Sequence, residues 1–428
     1  MAIELQSGKR ASELPAIAGG VPVRPPDRAI VLGTPVIGEA EISSVTQCLR
    51  NRWIGAGAGV ERFEREFARY KNAPYAAAVS SGTAAIHLAL VALGIGPGDE
   101  VIAPTMTFCS TIHCIVHTGA VPVLADCDRE TFNLDASHVQ RLVTARTKAI
   151  IVVHMCGRCC EMNAILEIAR RYHLKIIEDC AHAIESDYHG APAGLMGDAG
   201  CFSFYATKNI TSAEGGMLIA RDRVLIERAR LLSLHGMTAD AWSRFSGRSC
   251  EYQVQEAGFK YNFTDLGAAL ALPQLLDIER RWLCRQEIWR NYMENFARLP
   301  VQLPAPPDPS SRHAYHLFTL LLKLEKIGVS RGQVAAALRA ENIGTGVHYV
   351  PVHLQPYYAQ RFGFRPADFP NAVFVGERTI SLPISPEMSA QDASDVCRAV
   401  TRVLCYWAEQ NSQPDKIRTA GLGPTAEN

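Results

Sequence analysis

Lys208 is the residue whose type and surroundings point most directly to chemistry. It follows the run C-F-S-F-Y-A-T, between an aromatic-rich strand pattern and a small-residue turn that continues to Glu214, Gly215 and Gly216. A lysine on a strand or loop is ordinarily a solvated surface residue. Its company argues otherwise. Ser203 lies five positions upstream, and the acidic pair Glu178 and Asp179 ends another apolar run, Asp179 standing twenty-nine positions before the lysine. Such a placement suits an amine whose pKa is lowered for Schiff-base chemistry.

A second pattern points to an anion. Residues 75–79 read as a short apolar strand, S-S-G-T (80–83) as a turn, and 84–93 as a helix of good formers. A small-residue turn opening a helix offers free backbone N–H groups and a positive dipole end, although S-G-T alone is also ordinary N-capping chemistry. Other patterns carry less. Gly55, Gly57 and Gly59 alternate, but a helical pattern precedes them where a dinucleotide loop needs a strand, so 51–59 reads as a mobile loop carrying Trp53. Cys156, Cys159 and Cys160 form C-x-x-C-C without the second pair that zinc needs, and free thiols are the better reading. His313, His316, His348 and His353 sit on separate segments without carboxylate partners and match no metal spacing, so no metal is expected.

The chain of 428 residues is long enough for two domains, and 43 basic residues balance 43 acidic ones. That balance removes the electrostatic case for nucleic acid or an anionic membrane as partner, while leaving local sites for small anions. Thirteen cysteines in no regular framework, a polar start and the lack of a long apolar segment read as a reduced, cytoplasmic protein.

The elements that must position these residues alternate. Strand patterns at 98–104, 121–126, 149–154, 174–179 and 217–220 are separated by helical ones at 110–118 and 162–172, with another at 223–234. This order predicts a mostly parallel sheet covered on both faces, with ligands at its C-terminal strand ends. The loops 104–108, 154–157 and 179–182 then converge on one crevice. After a polar excursion at 238–259, a long helix broken at Pro273 runs to about residue 299. A Pro-rich segment at 303–309 introduces a second α/β module with strands at 316–323 and 345–349 and helices at 331–341 and 390–409. The division expected is an arm (1–28), a large domain (29–285), a small C-terminal domain (286–409) and a flexible tail (410–428).

Seven motifs in order, S-S-G-T-A-A, A-P-T-M-T-F, I-I-E-D-C-A-H-A, F-S-F-Y-A-T-K-N, E-G-G-M, K-Y-N-F-T-D and G-V-H-Y-V-P-V-H, lie between residues 80 and 353, within a match that runs over roughly 30–409. On them the sequence resembles the DegT/StrS family of pyridoxal-phosphate-dependent sugar aminotransferases, closest to members that aminate C4 of nucleotide-linked keto sugars. The resemblance implies the fold type I (aspartate aminotransferase-like) α/β architecture and a homodimer with active sites at the subunit interface. It implies pyridoxal 5′-phosphate in a Schiff base with Lys208, with pyridoxamine phosphate carrying the amino group between half-reactions. Asp179 would face the pyridine nitrogen, Phe108 and His182 would pack on the ring, and Gly82, Thr83, Ala84 and Ser203 would hold the phosphate, with Asn262 reaching it from the partner subunit. Trp53, His348 and His353 would lie around the sugar nucleotide, and L-glutamate would be the donor. Ala58 and Ala206 stand where the family usually has Pro. Some relatives carry His in place of the lysine and act as dehydratases; Lys208 is intact. A cyclitol or other cyclic ketone acceptor, or sugar dehydration, are the alternatives.

Overall fold

The computed structural model describes residues 14–239, 242, 245–247 and 251–412. Its frame is a seven-stranded sheet of β1 (Tyr75–Val79), β2 (Glu100–Pro104), β3 (Val121–Ala125), β4 (Thr147–Val153), β5 (Lys175–Asp179), β8 (Ala199–Ser203) and β9 (Gly216–Ala220), in the order β1-β9-β8-β5-β4-β2-β3. A two-stranded ribbon, β6 (Asp187–Tyr188) and β7 (Ala191–Pro192), interrupts the chain between β5 and β8. The pairs from β8 to β3 are parallel, and β9 runs antiparallel to both its neighbours.

The strands are short apolar runs because both sheet faces are covered. Successive residues serve opposite layers: Ile177, Ala103 and Leu218 join the core under α3 (Gly82–Ala92) and α4 (Cys109–His117), while Ile176, Ile102 and Phe202 join the core on the other face. There α2 (Ala58–Lys71) inserts Phe63 and Phe67, both fully buried, against Phe202 and Phe204. Burying rings of this kind stabilises by roughly 1.5–3 kcal/mol each. A third core lies between a three-stranded antiparallel sheet, β10 (Val301–Gln302), β11 (Phe318–Leu322) and β12 (Thr379–Leu382), and helices Ile278–Phe296, Arg331–Ala340 and Ala390–Asn411.

Three expectations change. The break in the long helix falls at Asp277, not Pro273, between Asp265–Leu276 and Ile278–Phe296. Pro273 is accommodated within the last turn of the first helix, whereas Asp277 leaves helical geometry (φ −105°, ψ 9°) and draws Arg280 and Arg281 to its carboxylate. Residues 345–349 form no strand; Gly346 makes one bridge to Ser381, and β12 is the strand that pairs with β11. The glycine loop is tied down rather than free. Asp265 accepts from the N–H groups of Gly59 (3.0 Å) and Val60 (2.9 Å), and its own N–H donates to Gly55 at 2.7 Å.

Candidate active site

Register brings the site together. Val153 pairs with Asp179 and Asp179 with Cys201, so β4 and β5 end level and β8 runs two residues beyond them. Alternation along β5 turns Asp179 towards α4, where Thr111 Oγ1 donates to it at 2.9 Å and the Ala181 N–H at 3.1 Å. Burial raises its pKa, and these two bonds, with the charge of Lys208, offset that only in part. The site therefore holds a carboxyl group short of positive partners.

Beyond β8 the chain makes a turn, with the Lys208 N–H donating to the Tyr205 carbonyl at 2.9 Å. Lys208 opens on a cavity of about 500 Å³ that Asp179 also lines. Protein surrounds the amine, and burial lowers its pKa to about 8 against the opposing pull of Asp179 and Cys156. At neutral pH a usable fraction is neutral and nucleophilic.

An anion cradle stands at the same cavity. Ser81 caps α3 by accepting from the Ala84 N–H at 3.0 Å, which leaves the N–H groups of Gly82 and Thr83 at the helix start. Ala84 thus has its donor engaged and does not line the cavity, whereas Gly82, Thr83 and Ser203 do. The approach is close: a Cβ on Gly82 would meet Ser203 Cβ at 2.9 Å, and one on Gly216 would meet the Ser81 backbone at 2.4 Å.

Aromatic and imidazole groups form the remaining wall. Phe108 precedes α4 with 56% of its surface open, its ring 5.9 Å from that of Tyr349. His182 accepts the Cys156 N–H at Nδ1 (3.3 Å), which leaves Nε2–H to donate to the Tyr349 hydroxyl at 3.1 Å. Burial, then Lys208 and His348, keep its pKa well below the usual value, so it is neutral. His316 stacks on it at 4.5 Å, and His348, also on the cavity, bonds Ser381 Oγ at 2.8 Å.

Three expected contacts lie outside the cavity within this chain. Asn262 bridges to Val79 and donates to the Phe263 carbonyl at 3.2 Å. Trp53 donates to the Ala56 carbonyl and packs against Trp242 and Phe245 at 5.1 and 5.0 Å. His353 is buried against Thr105 at 2.7 Å. Sequence reasoning passed over Arg281, Arg285 and Gln274, which line the cavity. A signal existed: Ile278, Arg281, Arg285, Ile288, Tyr292 and Phe296 share one helical stripe, so the two arginines occupy buried-face positions.

Among the described residues, the one compact set of three metal-type ligands is His154, Glu178 and Cys180, all buried. His154 Nδ1 accepts the Cys160 N–H at 3.1 Å, and Nε2 lies 2.9 Å from Glu178, so the imidazole has no lone pair left for a cation. Cys156, Cys159 and Cys160 are free and buried.

A parallel-centred sheet with a half-buried lysine on its cavity, a carboxylate at the adjacent strand end and a helix-start anion cradle defines a fold type I pyridoxal-phosphate-dependent transferase. The chain belongs to the DegT/DnrJ/EryC1/StrS aminotransferase family, whose model matches residues 35–401, and is a sugar aminotransferase of that class. It is 46% identical over 372 residues to the spore coat polysaccharide biosynthesis protein SpsC of Bacillus subtilis, covering 86% of this chain and 96% of SpsC. Spr1654 of Streptococcus pneumoniae, solved in its PMP form, superposes with a TM-score of 0.82 at 31% identity, over 89% of this chain and all of that one. The aminotransferase TlmJ of Streptoalloteichus hindustanus gives 0.81 at 30%, over 88% and 99%. Among the described residues no helix is long and apolar enough to cross a membrane.

Proposed function

We propose that the protein transfers the amino group of L-glutamate to the C4 keto group of a nucleotide-linked sugar. The reading includes a ping-pong cycle, a cytoplasmic homodimer, and pyridoxal phosphate carried by Lys208. The observation that supports it most is the Lys208 amine, its pKa lowered to about 8, at a cavity shared with the carboxyl of Asp179.

The residues present fit the cofactor. Gly82 and Thr83 amides and the Ser203 hydroxyl suit its phosphate, in a cradle that a Cβ on Gly82 would fill. Asp179, its pKa raised by burial, suits a cationic ring nitrogen, which would restore the anion. Phe108 offers an open face, and neutral His182, fixed by Cys156 and Tyr349, offers a second aromatic surface. Asn262 would serve the partner subunit's phosphate. When bound, pyridoxal phosphate supplies an electron sink for the carbon that loses a proton.

The chain's own residues do the rest. Lys208 Nζ, once released from the cofactor, takes the proton from the donor carbon and returns one on the acceptor side, as general base and acid. A pKa near 8 suits both directions close to neutrality. His348, beside Lys208 on the cavity, is placed for the sugar; Trp53 and His353 would act from outside the single-chain cavity, supporting the loops around it.

The test mixes purified protein, pyridoxal phosphate and L-glutamate with a panel of nucleotide-linked keto sugars and follows 2-oxoglutarate and the amino sugar. Amination at C4 of one of them is expected. Water loss without amine transfer, or amination of cyclic ketones alone, would overturn the reading.

A further inference from the structure

Arg281 and Arg285 lie on one helix face and both line the cavity, yet their charges are balanced differently. Arg281 is fully committed, meeting Glu41 at 2.7 Å and Asp277 at 3.3 Å and donating to the Val36 carbonyl at 3.2 Å. Arg285, 6% exposed, donates Nη1 to the Ile384 carbonyl at 2.9 Å, and among the described residues no carboxylate reaches ion-pair distance. Its Nε is buried without a hydrogen-bond partner, and among the described residues the guanidinium's one hydrogen bond is that of Nη1. Among the described residues, the side of the guanidinium that carries Nε and Nη2 is therefore left without a protein acceptor.

The charge that acts most on Arg285, that of Glu185, does not close this gap. Glu185 is buried, and both its oxygens accept from Asn209 Nδ2 at 2.9 Å. Burial raises its pKa to about 7 against the pull of Arg285, so at neutrality it is only partly ionised. Asn209 directly follows Lys208, and its Oδ1 accepts from His316 Nδ1 at 2.8 Å, which places this polar chain beside the reacting amine. A buried cation without its partner is costly, and an anion in the cavity would remove that cost.

We propose that Arg285 anchors a carboxylate of the amino donor through its Nε–Nη2 edge, at a subsite separate from the Gly82–Thr83–Ser203 cradle. The proposal rests on the aminotransferase reading. A planar carboxylate matches that edge with two parallel bonds, and the neighbouring Lys208 is where the donor's nitrogen must react. Glu185 behind it limits the affinity through partial negative charge, so that the deaminated product leaves.

The experiment measures glutarate and UDP binding to holoenzyme by calorimetry, with the glutamate half-reaction followed by stopped flow. Arg285→Gln should weaken glutarate binding about 10- to 100-fold and raise the KM for glutamate by a similar factor. Cofactor absorbance and UDP binding should stay within about twofold, and Arg285→Lys should fall between. Glu185→Gln, which keeps an acceptor for Asn209, should tighten glutarate binding about threefold by removing a like charge. That variant decides the matter if Arg285→Gln does not fold. Unchanged glutarate affinity in Arg285→Gln, weaker binding in Glu185→Gln, or loss of UDP with glutarate retained would overturn the proposal, the last assigning Arg285 to the nucleotide phosphates. A wild-type holoenzyme inert to glutamate but active with another amino acid would sink the donor assignment instead, and the same variants would then be titrated with that donor's keto acid.

Discussion

Glu178 and Asp179 are consecutive residues of one strand, both buried, and the chain treats them in opposite ways. Glu178 is saturated: His154 Nε2 lies at 2.9 Å, and the N–H groups of Gly194, Met196 and Gly197 donate at 2.8, 2.8 and 2.7 Å. Burial alone would raise its pKa, but these donors reverse the effect and hold it below the usual carboxylate value. Asp179 receives two donors and its pKa stays raised. One carboxylate is complete within the fold and ties the loop before β8 to the sheet. The other is left with two donors at the cavity wall. Satisfaction by the chain marks Glu178 as structural, and the shortfall at Asp179 is what supports its proposed role.

The largest effect that tests this contrast lies with the amine facing Asp179. Lys208→Ala should lower turnover by at least about 10²–10⁴-fold and abolish the Schiff-base absorbance, with thermal stability unchanged or higher, because burial of an amine is relieved. Turnover near the wild-type rate would remove Lys208 from the chemistry. Asp179→Asn comes next, with about a 10²-fold loss in either half-reaction at little cost in stability. A fall in melting temperature with kcat intact would make Asp179 structural after all.

Glu178→Ala should invert that pattern. Removing it strands His154 and three amides, at a cost of about 3–5 kcal/mol, read by urea unfolding, with activity per folded site largely kept. Because its folded pKa is depressed, Glu178 contributes stability above the ordinary carboxylate pKa of 4.5, and that contribution disappears as pH falls through the folded value. Acid unfolding should accordingly be less steep in Glu178→Gln, and an unchanged profile would dissolve the contrast. The smallest effect belongs to Gly82→Ala. The added methyl meets Ser203 Cβ, so cofactor affinity should fall about tenfold with the apoprotein destabilised by about 1–3 kcal/mol. An unchanged cofactor Kd would exclude the cradle.

Much of the site was legible because it is local. Strand–turn–helix at 75–93, the E-D end of β5 and the lysine after β8 are each written in a few consecutive residues, and the order of parallel strands brings them together. The structural partner of Glu178 was not legible, because His154 and the amides of 194–197 come from distant segments. Arg285 was hidden among polar helix residues, and only the helical phase shows it on the buried side. The strand expected at 345–349 failed since a β-like composition there serves a cavity-lining loop, while β12, four residues long, carries too short a pattern to announce itself.

The central claim is that Lys208 is the amine that carries pyridoxal phosphate. Borohydride reduction of the holoenzyme, proteolysis and mass spectrometry test it directly. A pyridoxyl group on the peptide containing Lys208, and its absence after prior transamination with L-glutamate, is the predicted result. A label on another lysine, or none on Lys208 in a protein that turns over, would contradict it.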